Sequence, residues 1–475
     1  MTGAVTSSEG RNPLSIVRDA LRERDAWLVG GAVRDALLQR PTADLDVVVV
    51  DDVGGAARAL ARAARGPAFE LSDEFGSWRV MAPDRTWQVD LSPLRGGSLE
   101  ADLALRDFTV NAIAEPLDGG ERVDPHGGAA DLAASRLRAV SPRAFADDPL
   151  RVVRLVRLAS QLHLAPDAAT VALARDSAAA TAAVAQERVF AELKRVIADD
   201  GVLASLALMD DLGLTQAILP ELHALSGVEQ NRYHHADVYE HTLEVLEQTI
   251  ALQADPGDVF GAEHGQAISA LLAEPLADEV DRGFALRLGA LLHDAAKPAT
   301  LGRREDGSPT FLGHDRAGAD LARDVLSRLR ASEKLKAHVA ALTRHHLRLG
   351  FLVHETPLSR RALYGYLKTT EPVEVDVTLL SVADRLATRG RKAQESIAKH
   401  LGLAREVLPA ALQWRAEGRR TPLVRGDALA AALEIADGPQ LGRLLAQIDE
   451  ARFAGELASA DEAIAFAARL LERGD

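Results

Sequence analysis

Between Leu28 and Val50 the chain reads LVGGAVRDALLQRPTADLDVVVV, an order that few folds accommodate. A short apolar run stops at Gly30 and Gly31. A helical pattern carrying Arg34 and Asp35 follows, and Asp44 and Asp46 then lead into the run Val47 to Val50. This predicts a strand, a glycine turn, a helix and a second strand. A glycine turn lets backbone N–H groups approach a phosphate, and a helix N-terminus favours an anion. On a strand, residues two apart project from one face. Asp44 and Asp46 are thus placed to hold divalent metal together, with hard oxygen ligands suited to Mg²⁺. Two such ions activate a hydroxyl and stabilise a leaving pyrophosphate. Singly, a Gly-Gly pair is an ordinary turn and an Asp-x-Asp an ordinary strand edge. Within one strand–turn–helix–strand unit they point to a nucleoside triphosphate site.

The arrangement resembles the nucleotidyltransferase core of the DNA polymerase β superfamily. Around it the pattern divides the chain. Residues 12–140 read as mixed α/β, with candidate strands Trp27 to Val29, Leu45 to Val50, Trp78 to Met81, Trp87 to Leu91 and Thr109 to Ala114. A helix is predicted over Val53 to Ala64. From about residue 141 apolar residues recur at i, i+3, i+4 and i+7, the period of amphipathic helices. Three helical blocks separate there: 141–225, ending at the breaker ILPEL with Pro220; 226–400, rich in histidine; and 401–475, a tail. A chain of 475 residues exceeds one ordinary core, so several domains are expected. It has no cysteine, which excludes a disulfide framework and thiolate metal sites. The absence of a signal pattern and of a run of about 18 apolar residues predicts a soluble, cytoplasmic protein.

The formal net charge of −15 speaks, on average, against nucleic-acid binding. Local patches speak otherwise. Residues 134–157 hold six arginines against two aspartates, an excess that favours a phosphate-facing surface. There, DDPLRVVRLVR opens with Asp147, Asp148 and Pro149, a strong helix start. Arg151, Arg154 and Arg157 recur every third residue and form one slanted stripe. Asp148 and Arg151, three apart, place a carboxylate beside a guanidinium fork. That pair suits cytosine or adenine, which present an amine next to an acceptor; uracil and guanine present the wrong pattern. Upstream, RDFTVNAIA supplies Arg106 as a fixed cation, with Asp107 and Asn111 able to meet sugar hydroxyls. Asp90, ending WQVD, is either a third metal carboxylate or a cap for the Ser92-Pro93 turn.

Residues 226–400 carry His241 in DVYEHTLEVL, His293-Asp294 in LLHDAAKP, His314 in FLGHDRAGAD, His345-His346 in TRHHLRL and Asp384 in SVADRLAT. Imidazoles and carboxylates on several helices suit a divalent transition metal. The order resembles the HD-domain phosphohydrolases. That resemblance implies His241, His293, Asp294 and Asp384 as core ligands, with His314 and one of His345 or His346 for a second metal. His234 and His235 precede the helix and are not expected to be ligands.

The ordered set LVGGAVRD, DLD, RDFTVNAIA, DPHGGAADL, DDPLRVVR and ERVFAEL resembles the bacterial class II tRNA nucleotidyltransferases, over about residues 25–225 and more loosely beyond. This family includes CCA-adding enzymes, their CC-adding and A-adding specialists, and poly(A) polymerases. The resemblance implies an α+β fold: a polymerase-β-like head of mixed sheet and helices, then all-α neck, HD and tail domains. It implies catalytic Mg²⁺ on Asp44 and Asp46, the incoming triphosphate on Gly31 and Arg34, and Arg106 near sugar and phosphates. Asp148 and Arg151 would select CTP or ATP without a nucleic-acid template, and Arg154 and Arg157 would bind phosphate. Asp124, Gly127, Gly128 and Asp131 match a hinge-like element, and Glu187 and Arg188 the start of a helix supporting the base-selecting one. The expected partners are CTP, ATP and the tRNA 3′ end and acceptor arm.

Two departures stand out. The family's Glu-Asp is here Asp147-Asp148, a conservative change. The segment SPLRGGSLEADLAL between Asp90 and Arg106 is shorter than the loop that full CCA-adding members use as a lever when specificity switches to ATP. A short loop resembles CC-adding specialists, although related members with a trailing histidine domain share it. CCA addition is the general expectation, with CC-only or A-only addition and poly(A) synthesis as alternatives. A metal-dependent phosphohydrolase and an RNA-binding scaffold are readings from other classes.

Overall fold

The computed structural model describes residues 12–72, 76–230, 237–355, 357–388, 393–418 and 421–473; His234 and His235 lie outside these. The chain divides into two compact units, residues 1–218 and 219–475.

The first unit opens with a six-stranded sheet. Its strands are β1 (Ala26–Val29), β2 (Asp44–Val49), β3 (Ala68–Ser72), β4 (Ser77–Met81), β5 (Gln88–Pro93) and β6 (Ala114–Pro116). Their spatial order is β3-β4-β5-β2-β1-β6. Only the β2–β5 pair is parallel, with Asp46 opposite Asp90. In β2 the pleat turns Leu45 and Val47 into the core and leaves Asp44 and Asp46 exposed. Val48 and Val49 are both buried, as befits a strand covered on both faces. The accompanying helices are α1 (Pro13–Ala20), α2 (Gly31–Leu37), α3 (Val53–Ala64), α4 (Leu99–Ala104) and α5 (Gly128–Ala133). The span of α3 is the one its apolar period predicts.

One strand carries no sequence signal, and one expected strand does not form. The strand β3 gave no periodic signal because it is an edge strand whose larger apolar side chains, Phe69 and Leu71, face outward. The predicted strand over Thr109 to Ala114 is instead a 3₁₀ turn at Thr109–Asn111, and β6 starts only at Ala114. The cause is Asp107. Its Oδ1 accepts from the Phe108 backbone N–H at 2.8 Å and from Asn111 Nδ2 at 3.0 Å, which curls the segment. The turn then meets α5: a Cβ on Gly128 would lie 2.1 Å from the Thr109 carbonyl oxygen, so only glycine fits.

The helical remainder of this unit includes α6 (Ala144–Asp147), α7 (Leu150–Leu162), α8 (Ala168–Ala178) and α9 (Gln186–Ala198). The helix start expected at Asp147, Asp148 and Pro149 is present, with α7 beginning at Leu150 directly after Pro149, and the short α6 precedes it. Asp148 precedes Pro149 and is extended, at φ −148° and ψ 99°. Proline excludes its predecessor from the helical region, so α7 starts after it. Val152, Val153, Leu155, Val156 and Leu158 bury the apolar face of α7, leaving its arginines on the other side.

The second unit is nearly all helix, from Val238–Ala254 to Ala460–Arg473, with short two-stranded ladders such as Pro275–Ala277 against Val280–Asp281. The expected α+β head followed by helical domains is what the chain forms. Among the described residues no helix is long and apolar enough to cross a membrane.

Candidate active site and metal centre

A cavity of about 460 Å³ opens in the first unit, walled by the β1–α2 turn, the outer face of β2, the start of the 3₁₀ turn, and α7 and α9. Gly31, Arg34, Asp44, Asp46, Arg106, Asp148, Arg151, Arg154 and Arg157 all line it. The nine residues come from segments more than 100 positions apart and converge on one space.

Gly30 sets the geometry of the turn. Its φ is +69°, a conformation that a side chain strains. A Cβ there would lie 3.1 Å from Arg106 Nη1 and 3.4 Å from Asp46 Oδ2. The cation and the carboxylate both close on the turn and leave no room for a side chain there. Arg34 is held by Asp35, 2.9 Å from its Nε, and donates to Asn111 Oδ1 at 2.6 Å.

The Asp44 and Asp46 carboxylates are neither hydrogen-bonded nor ion-paired to any described residue. Asp46 opens to the water of the cavity but is flanked by protein mass. Burial raises its pKa above the usual carboxylate range; Arg106 and Arg154 oppose this, while Asp90 and Asp44 reinforce it. Open acidic oxygens crowded on one strand face are the donor set that a hard divalent cation fits. Asp90 is differently placed. It stands beside Asp46 in register, yet both its oxygens accept from Arg79, at 2.7 Å each. The ion pair occupies it, and it neither caps the following turn nor lines the cavity.

The arginine stripe is anchored by acids. Arg154 meets Asp107 at 2.6 Å and Arg157 meets Glu192 at 2.5 Å. Asp107 is buried, which alone would raise its pKa. Arg154, with the Asn111 and Phe108 N–H groups, overrides that and brings it to about 2. Its oxygens are engaged by Arg154, the Phe108 amide and Asn111, although the residue itself lines the cavity beside Asn111. Asp148 and Arg151 both face the cavity; the Arg151 backbone N–H donates to the Asp148 carbonyl at 3.0 Å, but their side chains do not pair. Asp148 accepts from Arg188 Nη2 at 2.9 Å. Arg151 donates to the carbonyls of Leu105 at 2.6 Å, Ala144 at 3.0 Å and Arg106 at 3.2 Å. Asp124 accepts from the Gly128 and Ala129 amides and caps α5, while Asp131 takes Thr109 Oγ1 at 2.6 Å. Sequence reasoning missed Thr42, Arg95, Leu105 and Arg195 as cavity residues. Arg95 lay in the short loop already singled out. Arg195 sits in an ordinary amphipathic helix, and nothing in its spacing marks it.

In the second unit, His241, His293 and Asp294 bring one ligand atom each within 4.8 Å of one another, and so do Asp294, His314 and His346. All five are buried. Asp294 serves both groups: Oδ2 lies 3.2 Å from His293 Nε2, and Oδ1 lies 3.3 Å from His314 Nε2. Asp384 meets His241 Nε2 at 3.0 Å. His293, His314 and His346 each direct Nδ1 at a backbone carbonyl, of Ala290, Phe311 and Thr343, at 2.6–2.8 Å. Donation there leaves Nε2 as the lone-pair nitrogen, the tautomer a metal ligand needs. Burial lowers the pKa of His346 to about 4, so it is neutral at pH 7. Of the adjacent pair, His346 joins the cluster, whereas His345 accepts from Arg348 at its Nδ1. The buried Nε2 of His293 makes no hydrogen bond. Lys297 was not foreseen: its Nζ sits 2.6 Å from Asp294 Oδ2.

Residues 26–138 match the model of the poly A polymerase head domain, 163–225 that of a probable RNA and SrmB-binding site of polymerase A, and 238–389 that of the HD domain. The A-adding tRNA nucleotidyltransferase of Deinococcus radiodurans is 36% identical over 453 residues, covering 94% of this chain and 96% of that protein. The chain belongs to the CCA-adding enzyme and poly(A) polymerase family of nucleotidyltransferases. The CC-adding enzyme of Thermus thermophilus is 34% identical, over 93% of each chain. In fold, this nucleotidyltransferase is similar to the CCA-adding enzyme of Thermotoga maritima, solved in complex with tRNA, at a TM-score of 0.61 and 19% identity over 98% of this chain and 96% of that one. It is an enzyme of the nucleotidyltransferase class with an HD domain whose His/Asp cluster has the make-up of a metal site.

Proposed function

We propose that this nucleotidyltransferase adds CMP and AMP to the 3′ end of tRNA from CTP and ATP, without a template, and releases pyrophosphate. The observation that carries the reading is the convergence of two unpaired aspartates, a glycine turn and an arginine stripe on one cavity. Asp44 and Asp46 would hold Mg²⁺, which supplies activation of the RNA hydroxyl and stabilisation of the departing pyrophosphate. The chain's own residues do the rest. Gly31 and Arg34 take the triphosphate, and Arg106 adds positive charge beside Asp46. Asp148 and Arg151 present the acceptor and donor that match cytosine or adenine. Arg188 orients the first of these, and three backbone carbonyls orient the second. Arg154 and Arg157, pinned by Asp107 and Glu192, form a rigid positive wall for phosphate. Residues 12–140 act as head, 141–225 as base-selecting neck, 226–400 as HD domain and 401–475 as a tail that meets tRNA by shape and phosphate contacts.

A CC-adding specialist is the second reading, favoured by the short connection between Pro93 and Leu99. The buried His/Asp cluster supports an added phosphohydrolase activity in the HD domain, on substrates such as 2′,3′-cyclic phosphates. The deciding experiment supplies tRNA lacking its 3′ end with CTP, ATP or both, and sequences the RNA ends. Addition of C, C and A supports CCA synthesis, and a stop after two C residues supports the specialist. Long A-tracts on unstructured RNA would refute the tRNA-specific reading.

A further inference from the structure

The connection between β5 and α4 is fastened by a carboxylate that serves two arginines. Asp102 is fully buried. Its Oδ1 accepts from Arg95 Nε at 3.1 Å and from the Arg95 backbone N–H at 3.3 Å; its Oδ2 accepts from Arg106 Nη2 at 3.1 Å. A buried carboxylate needs such partners, and two guanidiniums on one acid leave the trio with one net positive charge.

The two arginines differ in what remains available. Arg106 is largely buried, with Nη1 against the Gly30 turn. The side chain of Arg95 is 52% exposed and lines the cavity that holds Asp44 and Asp46. Among the described residues, its Nη1 and Nη2 donate to no protein acceptor. On Arg34, Arg151, Arg154 and Arg157 at least one terminal nitrogen is already engaged. Arg34 donates one to Asn111, Arg151 donates both to carbonyls, Arg154 gives one to Asp107, and Arg157 gives one to Gln161. Arg195 is also uncommitted, but no side chain orients it. Arg95 alone combines a fixed Nε with an open Nη1/Nη2 edge.

We propose that Arg95 is a further substrate-binding residue, which grips the β- and γ-phosphates of the incoming nucleoside triphosphate, and that Asp102 is the positioning residue that aims it. This rests on the reading that the cavity takes a nucleoside triphosphate. One carboxylate joins Arg95 to Arg106, the arginine that abuts the Gly30 turn and acts on Asp46, so the added charge falls on the phosphate side. A guanidinium edge offers donors only, and its fork matches paired phosphate oxygens rather than a base edge that also needs an acceptor. Anchoring Nε in advance reduces the ordering cost of the contact.

The test is calorimetric titration of the full chain and its R95A variant with CTP, CMP and pyrophosphate, a readout that does not require turnover. Arg95 is half exposed, so R95A should fold. The expected result is a loss of about tenfold in affinity for CTP and pyrophosphate, from one charge-assisted contact, with CMP unchanged and partial recovery in R95K. A D102N change should weaken pyrophosphate binding in the parent chain and far less in R95A; independent, additive effects would overturn the positioning role. Unchanged pyrophosphate affinity in R95A, an equal loss for CMP, or a defect confined to the KM for tRNA would each overturn the phosphate grip. A parent chain that incorporates no nucleotide into tRNA would instead refute the functional reading. The titrations would still decide Arg95.

Discussion

Replacing Asp107 by asparagine should loosen the joint between the head and the arginine stripe. The carboxylate is 6% exposed and pairs with Arg154 at 2.6 Å, while its other oxygen holds the Phe108 amide and the Asn111 side chain. Its pKa falls from 3.8 to about 2, since Arg154 and those two N–H groups outweigh burial. Each unit is worth about 1.4 kcal/mol, so the ionised group contributes roughly 2 kcal/mol of stability. Removing one partner of a fully buried pair costs about 3–5 kcal/mol. Here the cost falls short of that range, to about 2 kcal/mol, because Glu192 lies 3.7 Å from Arg154 and that side chain is one-third exposed. The sign is that of a depressed carboxylate: the contribution is complete above the unfolded pKa near 4 and is lost as pH falls toward 2, about half of it by pH 3. Urea unfolding followed by tryptophan fluorescence in a Trp414→Phe background, which leaves Trp27, Trp78 and Trp87, reports the first unit. The gap between parent and Asp107→Asn should be about 2 kcal/mol from pH 7 to pH 5 and narrow below pH 4. A gap under about 0.5 kcal/mol at pH 7, or one unchanged between pH 5 and pH 3, would show that the Asp107–Arg154 pair does not hold the joint.

Asp44→Ala should abolish nucleotide incorporation while leaving any phosphodiester hydrolysis intact, because the two sites share no residue; normal incorporation would remove Asp44 from the metal site. Conversely, His293→Ala should lose divalent metal bound in the second unit, read by metal analysis after dialysis, with incorporation retained. Gly30→Ala should lower kcat by about a hundredfold, since a Cβ at 3.1 Å displaces Arg106 from beside Asp46; wild-type kcat would refute the crowding argument. Arg188→Ala should change the CTP-to-ATP preference several-fold by releasing Asp148, and an unaltered preference in competition assays would detach Asp148 from base selection.

How far the chain could be read without its structure varied with the range of the interaction. The turn at Gly30, the paired aspartates of β2 and the span of α3 follow from local periods, because two-residue and 3.6-residue repeats are properties of the segment itself. The identity of most cavity residues was legible for the same reason: each belongs to a short motif. The error at Thr109 to Ala114 arose where a side chain, Asp107, competed with the strand for its own backbone. The start of α7 was legible from Pro149, because proline bars its predecessor from the helical region. By contrast, the choice of His346 over His345 depends on which nitrogen faces Asp294, and two adjacent helical residues differ by about 100° in direction.

The sequence by itself determined the chemistry available to this protein: open carboxylates on a strand, a glycine turn ahead of a helix, and a periodic stripe of arginines. Tertiary structure decided how that charge is distributed. Asp107 and Glu192 claim Arg154 and Arg157, Arg79 removes Asp90, and Asp102 ties the short loop to Arg106. These partners lie between 4 and 47 positions away, and Coulomb attraction in a buried setting depends on distance through space, not along the chain. A linear reading shows which residues carry charge; only the folded chain shows which charges remain for the substrate.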